Sequence, residues 1–486
     1  MTNILGISAF SHDAAVSVVQ GNEFVFGAHA ERYSRIKNDK NLNPAILDEA
    51  LAHGQPEVIA YYENPFLKRT RQVYSGQWDK AFDRITVEER IRAMTGFKDV
   101  PIAYVTHHES HAAAGAYTSG YDDACVIVID AIGEWDCLTI WKFNQGRLKK
   151  LYSQKYPNSL GLFYTAITQR VGLKPNEDEY ILMGMAAYGK PIYADQMEED
   201  FFYPRKLAKS KINLHHGCLD YIPGADIYDL AASAQVVLER KLHEVFQHSK
   251  RVYPSDNLVY MGGVALNCTA NSMLSDYYRS TWIMPNPGDA GNSLGACLAL
   301  DNRRINWRGP YSGTEIQGPY PTEEIVERIQ KDKIVGVASG KAEFGPRAFG
   351  NRSLFADPRG NDIKDRVNAI KKRQEFRPFA PVILEELADE YFDMQGMKSS
   401  PYMQYTFRCK HPQDFPAIVH ADNTSRVQTV NQNNHPELYE TLKLMHEKTG
   451  CPMLLNTSLN IKGQPIVNTR RDAIAFEDMY GVKVLS

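Results

Sequence analysis

Apolar residues run through three short segments at the start of the chain, Ile4 to Ser8, Ala14 to Val19 and Phe24 to Ala28, and a polar Gly21-Asn22 pair separates the last two. Short apolar runs bounded by turn residues predict strands, here a meander. Much the same shape returns in Cys125 to Asp130, Cys137 to Phe143, an Asn144-Gln145-Gly146 turn, and Leu148 to Leu151. The repetition predicts an internal duplication. In each copy the first strand runs into a polar hairpin, Phe10-Ser11-His12-Asp13 in one and Asp130-Ala131-Ile132-Gly133-Glu134 in the other.

Between the copies, Asn43 to His53 and Ile85 to Gly96 read as helices around a strand at Val58 to Tyr62. From Ile227 to His248, Leu230, Ala234, Leu238, Leu242 and Phe246 recur every fourth position and predict a long amphipathic helix. It leads to a strand, Leu258 to Met261, closed by Gly262-Gly263, where a backbone without side chains lets a base or phosphate come close. Two hairpins facing each other across a cleft is how duplicated α/β folds of the actin and sugar-kinase type hold nucleotide phosphates, and that class is expected for residues 1–312. The stretch from Asn306 to Pro321 is rich in Gly and Pro, lacks periodicity and reads as a connector. Residues 313–486 alternate strands and helices and are expected to form a second α/β domain.

Composition narrows the partners. At 486 residues the chain exceeds one ordinary core, and 43% hydrophobic with 23% charged residues is globular usage. A net charge of -3 gives no global pull toward nucleic acid or anionic membrane, so anion chemistry has to rest on local clusters. Seven cysteines without a CxxC pair fit neither a disulfide framework nor a zinc ribbon. With no signal-like start and no apolar run of membrane-spanning length, a cytoplasmic protein is expected.

The candidate chemistry gathers at a few points. In His107-His108-Glu109-Ser110-His111, two histidines four apart leave one helix face a turn apart and can grip one ion. An isolated pair of this kind more often serves the helix itself. Here Asp130 and Asp289 each sit in a loop beside a strand or Gly-rich turn and would complete the site. Two imidazoles and two carboxylates suit a divalent transition ion such as iron, manganese or zinc more than calcium, and do not choose among the three. His12, at the tip of the first hairpin, is placed to take a proton from an attacking hydroxyl, its ordinary pKa lying near neutrality; the alternative is that it tethers the turn. Gly288-Asp289-Ala290-Gly291 opens a small-residue helix whose free N–H groups and positive end would face a phosphate. It is neither a Walker loop nor a dinucleotide fingerprint.

Between Lys341 and Arg377 ten Lys or Arg stand against five acidic residues, interleaved with Phe344, Phe349, Phe355 and Phe376. A nucleic-acid surface is one reading. Gly345-Pro346-Arg347 and Phe376-Arg377-Pro378 instead place single arginines in rigid apolar turns, which favours a pocket for one compact anion. Asn456-Thr457-Ser458 would add amide and hydroxyl donors.

Taken together, these segments resemble the O-carbamoyltransferase family that decorates antibiotics and nodulation oligosaccharides. The matching stretches include Ser11-His-Asp-Ala-Ala15, Glu31-Arg-Tyr-Ser-Arg-Ile-Lys37, His107 to Gly115, Asp130 to Trp135, Ser159 to Tyr164, Met183 to Gly189 and Gly262 to Asn267. In the second half they are Glu343 to Ser353, Phe376 to Pro381, Ser425 to Thr429 and Asn456 to Ser458. The resemblance covers nearly the whole chain in order. It implies an N-terminal domain similar to the tRNA threonylcarbamoyl-transferring ATPases and a C-terminal YrdC-like domain.

By that resemblance the C-terminal pocket binds carbamoyl phosphate and ATP, with magnesium expected alongside the nucleotide, and makes carbamoyl-adenylate.

 

Arg347, Lys371, Arg377, Arg426, Asn456 and Ser458 fall on the motif positions that hold the acyl phosphate. The adenylate then reaches the first domain, where an ion held by His107, His111, Asp130 and Asp289 contacts its phosphate. There Gly133, Glu179, Gly262, Gly263, Asn267 and Gly291 would line the nucleotide. His12 activates the acceptor hydroxyl and Lys37 contacts the carbamoyl group. The acceptor class implied is a sugar or antibiotic hydroxyl, or a hydroxymethylated pyrimidine, with no membrane partner, no stable nucleic-acid complex, and a homodimer as one oligomeric expectation. A tRNA threonylcarbamoyl-type enzyme and a nucleic-acid-binding module are the rival readings. The chain departs from the family at Ile181, where a lysine is usual, and at Ala131, where glycine is usual, and it is compact, as though acceptor-side insertions were trimmed.

Overall fold

The computed structural model describes the chain except Met1, Glu375, Phe376 and Pro378, and it divides into two units. One comprises Met1–Ala30 and Asn38–Trp307; the other comprises Glu31–Lys37 and Arg308–Ser486.

In the first unit, β1 (Asn3–Ser8), β2 (Ala15–Gln20) and β3 (Glu23–His29) form the antiparallel meander, and β4 (Val58–Tyr61) and β5 (Ile102–Tyr104) extend it in parallel, giving the order β3-β2-β1-β4-β5. The second sheet repeats this with β6 (Asp123–Ile129), β7 (Asp136–Asn144), β8 (Arg147–Lys155), β9 (Asn257–Met261) and β10 (Ser280–Trp282), in the order β10-β9-β6-β7-β8. Meander first, parallel strands second, at the same positions in both: the duplication expected from the sequence is present, as is the actin/sugar-kinase type of α/β topology. β1 and the Ala124–Ile129 part of β6 are buried along their length, as strands covered on both faces must be. Each large aliphatic side chain so buried contributes about 1.5–3 kcal/mol.

Two helices hold the centre of this unit. The helix Asn292–Asp301 lies so close to β1 that a Cβ on Gly6 would stand 1.9 Å from Ser293 O. The helix His107–Ala116 meets it equally closely, since a Cβ on Gly295 would stand 1.9 Å from Ser110 O. The long helix Ile227–Val252 is capped by Asp226, whose side chain accepts from Tyr228 N at 2.8 Å, and it buries the five apolar positions that the sequence singled out. Ile181, at the family's lysine position, is 1% exposed within the helix Glu179–Met185 and packs as core.

The second unit is built on a mixed six-stranded sheet. β11 (Tyr311–Ile316) pairs with β13 (Gly340–Glu343), and the main sheet contains β12 (Ile334–Ala338), β14 (Arg352–Ala356), β15 (Ala380–Leu384), β19 (Gln428–Val430), β20 (Met453–Ser458) and β21 (Val484–Leu485). Its order is β19-β15-β20-β14-β12-β21. A small sheet joins β16 (Phe392–Asp393), β17 (Phe407–Cys409) and β18 (Thr424–Ser425). The connector expected over 306–321 therefore contains a strand. Its register shifts between Tyr311 and Glu315, which breaks the alternation that would have marked it. Among the described residues no helix is long and apolar enough to cross a membrane.

Candidate functional site

The first hairpin strains its backbone where it turns: Phe10 and Asp13 have φ of 72° and 47°, a region costly to residues with a Cβ. Phe10 N donates to Lys40 O and Ala14 N to Asp39 O, each at 2.7 Å, so the turn is clamped from outside. Asp13 Oδ1 stands 3.2 Å from His29 Nδ1, and His29 Nε2 stands 3.0 Å from Asn286 Nδ2, tying this turn to the loop that carries Asp289. Between them His12 is partly exposed, and its Nε2 is buried with no hydrogen-bond partner among the described residues.

The second hairpin fixes Asp130 by one oxygen and leaves the other for the site. Asp130 Oδ1 accepts from Ala131 N at 2.8 Å and Gly263 N at 3.3 Å. Asp130 Oδ2 lies 3.0 Å from His107 Nε2 and 3.5 Å from His111 Nε2. Asp289 Oδ1 lies 3.4 and 3.6 Å from the same two nitrogens, and the nitrogens are 3.2 Å apart. Ser8 Oγ donates to Asp289 O at 2.9 Å, securing the loop to the end of β1. All four donor atoms lie within 4.8 Å of one another. Ligand bonds of about 2.0–2.2 Å put neighbouring donors on one ion roughly 3–3.6 Å apart, so the residues fit a single divalent ion.

Electrostatics agrees with that fit. Burial works against ionisation of Asp130, yet hydrogen bonds and charge from His107 and His111 hold its carboxyl well below the usual range. Burial opposes a charge on His107 too, but Asp289 and Asp130 raise it well above the ordinary imidazole value. Positive charge is therefore favoured between the two carboxylates. His108 turns away: its Nδ1 is 2.9 Å from Thr139 Oγ1, and burial, then His107 and His111, lower it to about 3.

The glycines have structural reasons of their own. Gly262 has φ of 93°, and a Cβ there would meet Ile129 O at 2.2 Å; a Cβ on Gly291 would meet Asn286 O at 2.0 Å. Gly133 packs against His107. Asn267 exchanges two amide hydrogen bonds with Gln235, at 3.0 and 3.1 Å, and Gln235 Oε1 also accepts from Tyr164 OH. Glu179 accepts from Thr165 Oγ1 and Asn176 N, both at 2.7 Å, and burial raises its carboxyl.

In the second unit Lys371 and Ser458 come together. Lys371 Nζ donates to Asn460 O and Asn460 Oδ1, each at 2.9 Å, and to Ser458 O. Burial, then Arg373 and Arg377, pull its ammonium well below the usual lysine range. Arg347 Nη1 donates to Tyr402 O at 3.0 Å. Arg426 Nε and Asn456 Oδ1 are buried with no hydrogen-bond partner among the described residues. Arg377 N donates to Gln374 O at 3.2 Å; its neighbours Phe376 and Pro378 lie outside the described residues. Lys37 belongs to this unit and pairs with Glu31 at 2.8 Å.

The basic segment does not act as one face. Arg352 is wholly buried and donates to the carbonyls of Asn468, Ser339, Asn351 and Thr314, while Arg359 pairs with Asp357. Sequence reasoning also missed two carboxylates beside the histidines. Glu134 accepts from His107 N at 3.0 Å and Asn64 N at 2.7 Å, and Glu63 Oε1 stands 3.6 Å from His107 Nδ1. Glu134 lay within a stretch already singled out; no local pattern marks Glu63.

Models of the carbamoyltransferase N-terminus and C-terminus match residues 3–61 with 68–298 and residues 326–486. The chain belongs to the carbamoyltransferase family and is an enzyme that transfers a carbamoyl group. It is 29% identical to nodulation protein NolNO of Sinorhizobium fredii, over 96% of this chain and 77% of that one. To the 3'-hydroxymethylcephem-O-carbamoyltransferase of Amycolatopsis lactamdurans it is 26% identical, over 97% of this chain and 95% of that one. Among solved structures, HypF of T. kodakarensis matches at TM-score 0.36 and 15% identity, over 62% of this chain and about half, 47%, of that one.

Proposed function

We propose that the chain is an ATP-dependent O-carbamoyltransferase that forms carbamoyl-adenylate from carbamoyl phosphate and ATP and passes the carbamoyl group to a hydroxyl of a small molecule or nucleotide. The observation that carries this reading is the convergence of His107, His111, Asp130 and Asp289, in a chain matched by both halves of the family. A divalent ion held there, with iron, manganese or zinc suited to the donors, would supply positive charge to a phosphate. Arg347, Lys371, Arg377 and Arg426 hold the acyl phosphate, and Asn456 and Ser458 orient it. The unpartnered Arg426 Nε and Asn456 Oδ1 support that assignment, since buried polar atoms without partners are costly unless a ligand meets them.

His12 takes the proton of the acceptor hydroxyl, and Lys37 meets the carbamoyl oxygen. Asn267 and Glu179 hold the nucleotide, and the backbone at Gly133, Gly262, Gly263 and Gly291 allows close approach. The separate engagement of Arg352 and Arg359 supports a pocket over a nucleic-acid strip. Incubation with carbamoyl phosphate, ATP and a panel of hydroxyl compounds tests the reading. AMP, pyrophosphate and a carbamoyl mass gain on an acceptor are expected; an inert protein that binds RNA tightly would overturn it.

A further inference from the structure

Lys68 occupies the first turn of the helix Pro65–Tyr74. A cation there opposes the helix dipole, at a cost of about 0.3–1 kcal/mol, so the helix itself gives no reason for it. Its surroundings do. Lys68 Nζ contacts both Glu63 Oε2 and Ser11 Oγ. Glu63 is 3% exposed and turns its other oxygen toward His107 Nδ1. One ammonium therefore joins the residue beside His12 to the carboxylate behind a candidate ion ligand. Neither His107 Nδ1 nor His111 Nδ1 has a hydrogen-bond partner among the described residues, but His107 has a carboxylate facing that nitrogen, Glu63 Oε1 at 3.6 Å, and its backbone N–H donates to Glu134.

We infer that Lys68 is a positioning residue that, through Glu63 and Ser11, couples the orientation of His107 in the ion site to the placement of the His12 turn. The inference rests on the ion-site reading proposed above. A carboxylate that braces an imidazole ligand fixes its ring and raises its donor strength. Removing the lysine releases Glu63 from its set position and frees Ser11 at the same time, so ion binding and acceptor activation both suffer while adenylate formation, in the second unit, does not.

The test uses Co2+ as the probe with the full chain. Lys68→Met should weaken Co2+ binding about 10- to 100-fold and shift the visible spectrum of the bound ion. It should also lower kcat for carbamoyl transfer while leaving pyrophosphate release at the wild-type rate. Lys68→Arg should restore most of both losses. Ser11→Ala should slow transfer with Co2+ affinity unchanged, which separates the two arms of the contact. A Lys68→Met protein that binds Co2+ with wild-type affinity and spectrum overturns the coupling alone. A wild-type protein that binds no divalent ion overturns the ion-site reading and the coupling with it. Should Lys68→Met fail to fold, Glu63→Gln carries the same expectation for affinity and spectrum, and wild-type values in that variant overturn the inference.

Discussion

Replacing Gly295 with alanine probes the geometry of the ion site from a distance. The new Cβ would stand 1.9 Å from Ser110 O, on the helix that carries both histidines, and backbone on that side cannot swing away as a flexible side chain would. Reaching even the closest tolerated approach requires the helices His107–Ala116 and Asn292–Asp301 to part by roughly 1 Å, an overpacking that costs about 1–3 kcal/mol. Asp289 begins the turn leading into one helix while His107 and His111 ride on the other, so the separations of 3.4 and 3.6 Å between them open directly. Asp130 stays with its own hairpin. The expected result is a lowered melting temperature and at least about a tenfold loss of Co2+ affinity. Gly288→Ala is the control, because its Cβ would meet only Leu266 Cδ1 at 3.9 Å, an ordinary contact. Wild-type Co2+ affinity in a folded Gly295→Ala protein would refute the claim that helix contact sets the ligand spacing.

Other substitutions divide the two partial reactions. Arg377→Ala should lower pyrophosphate release from carbamoyl phosphate and ATP by at least about 100-fold, measured by a coupled pyrophosphate assay. His12→Ala should leave that release intact and slow transfer to the acceptor about 10²- to 10⁴-fold; equal loss of both steps contradicts the assignment. Burial opposes charge on Glu63, but Lys68 and His107 hold its carboxyl at about 2, below its ordinary 4.5. A depressed carboxylate contributes stability that is present above pH 4.5 and is lost as pH falls toward 2. The metal-free wild type should therefore lose melting temperature across that window more steeply than Glu63→Gln, and identical slopes would contradict it.

Local patterning revealed the duplicated meanders because β1, β2, β6 and most of β7 are apolar runs closed by turns. The histidine pair was legible because one helical turn fixes its spacing, and the aspartates because each follows or precedes a strand-end loop. β11 escaped because its bulge hides the alternation. Arg352 read as part of a basic cluster because sequence carries no sign of the five carbonyl hydrogen bonds that absorb its guanidinium. The place of Glu31–Lys37 was hidden for the same reason: Arg32 donates to Gly345 O and Arg35 to Ile466 O, partners hundreds of positions away. Long-range hydrogen bonds leave no periodicity behind them.

The most direct measurement offers preformed carbamoyl-adenylate, labelled in the carbamoyl carbon, to the full chain with a hydroxyl acceptor. Label should reach the acceptor when the protein is loaded with a divalent ion, and transfer should collapse in chelator-treated protein and in His111→Ala. Transfer at the wild-type rate in the ion-free protein or in His111→Ala would contradict a carbamoyl-transfer site built on His107, His111, Asp130 and Asp289.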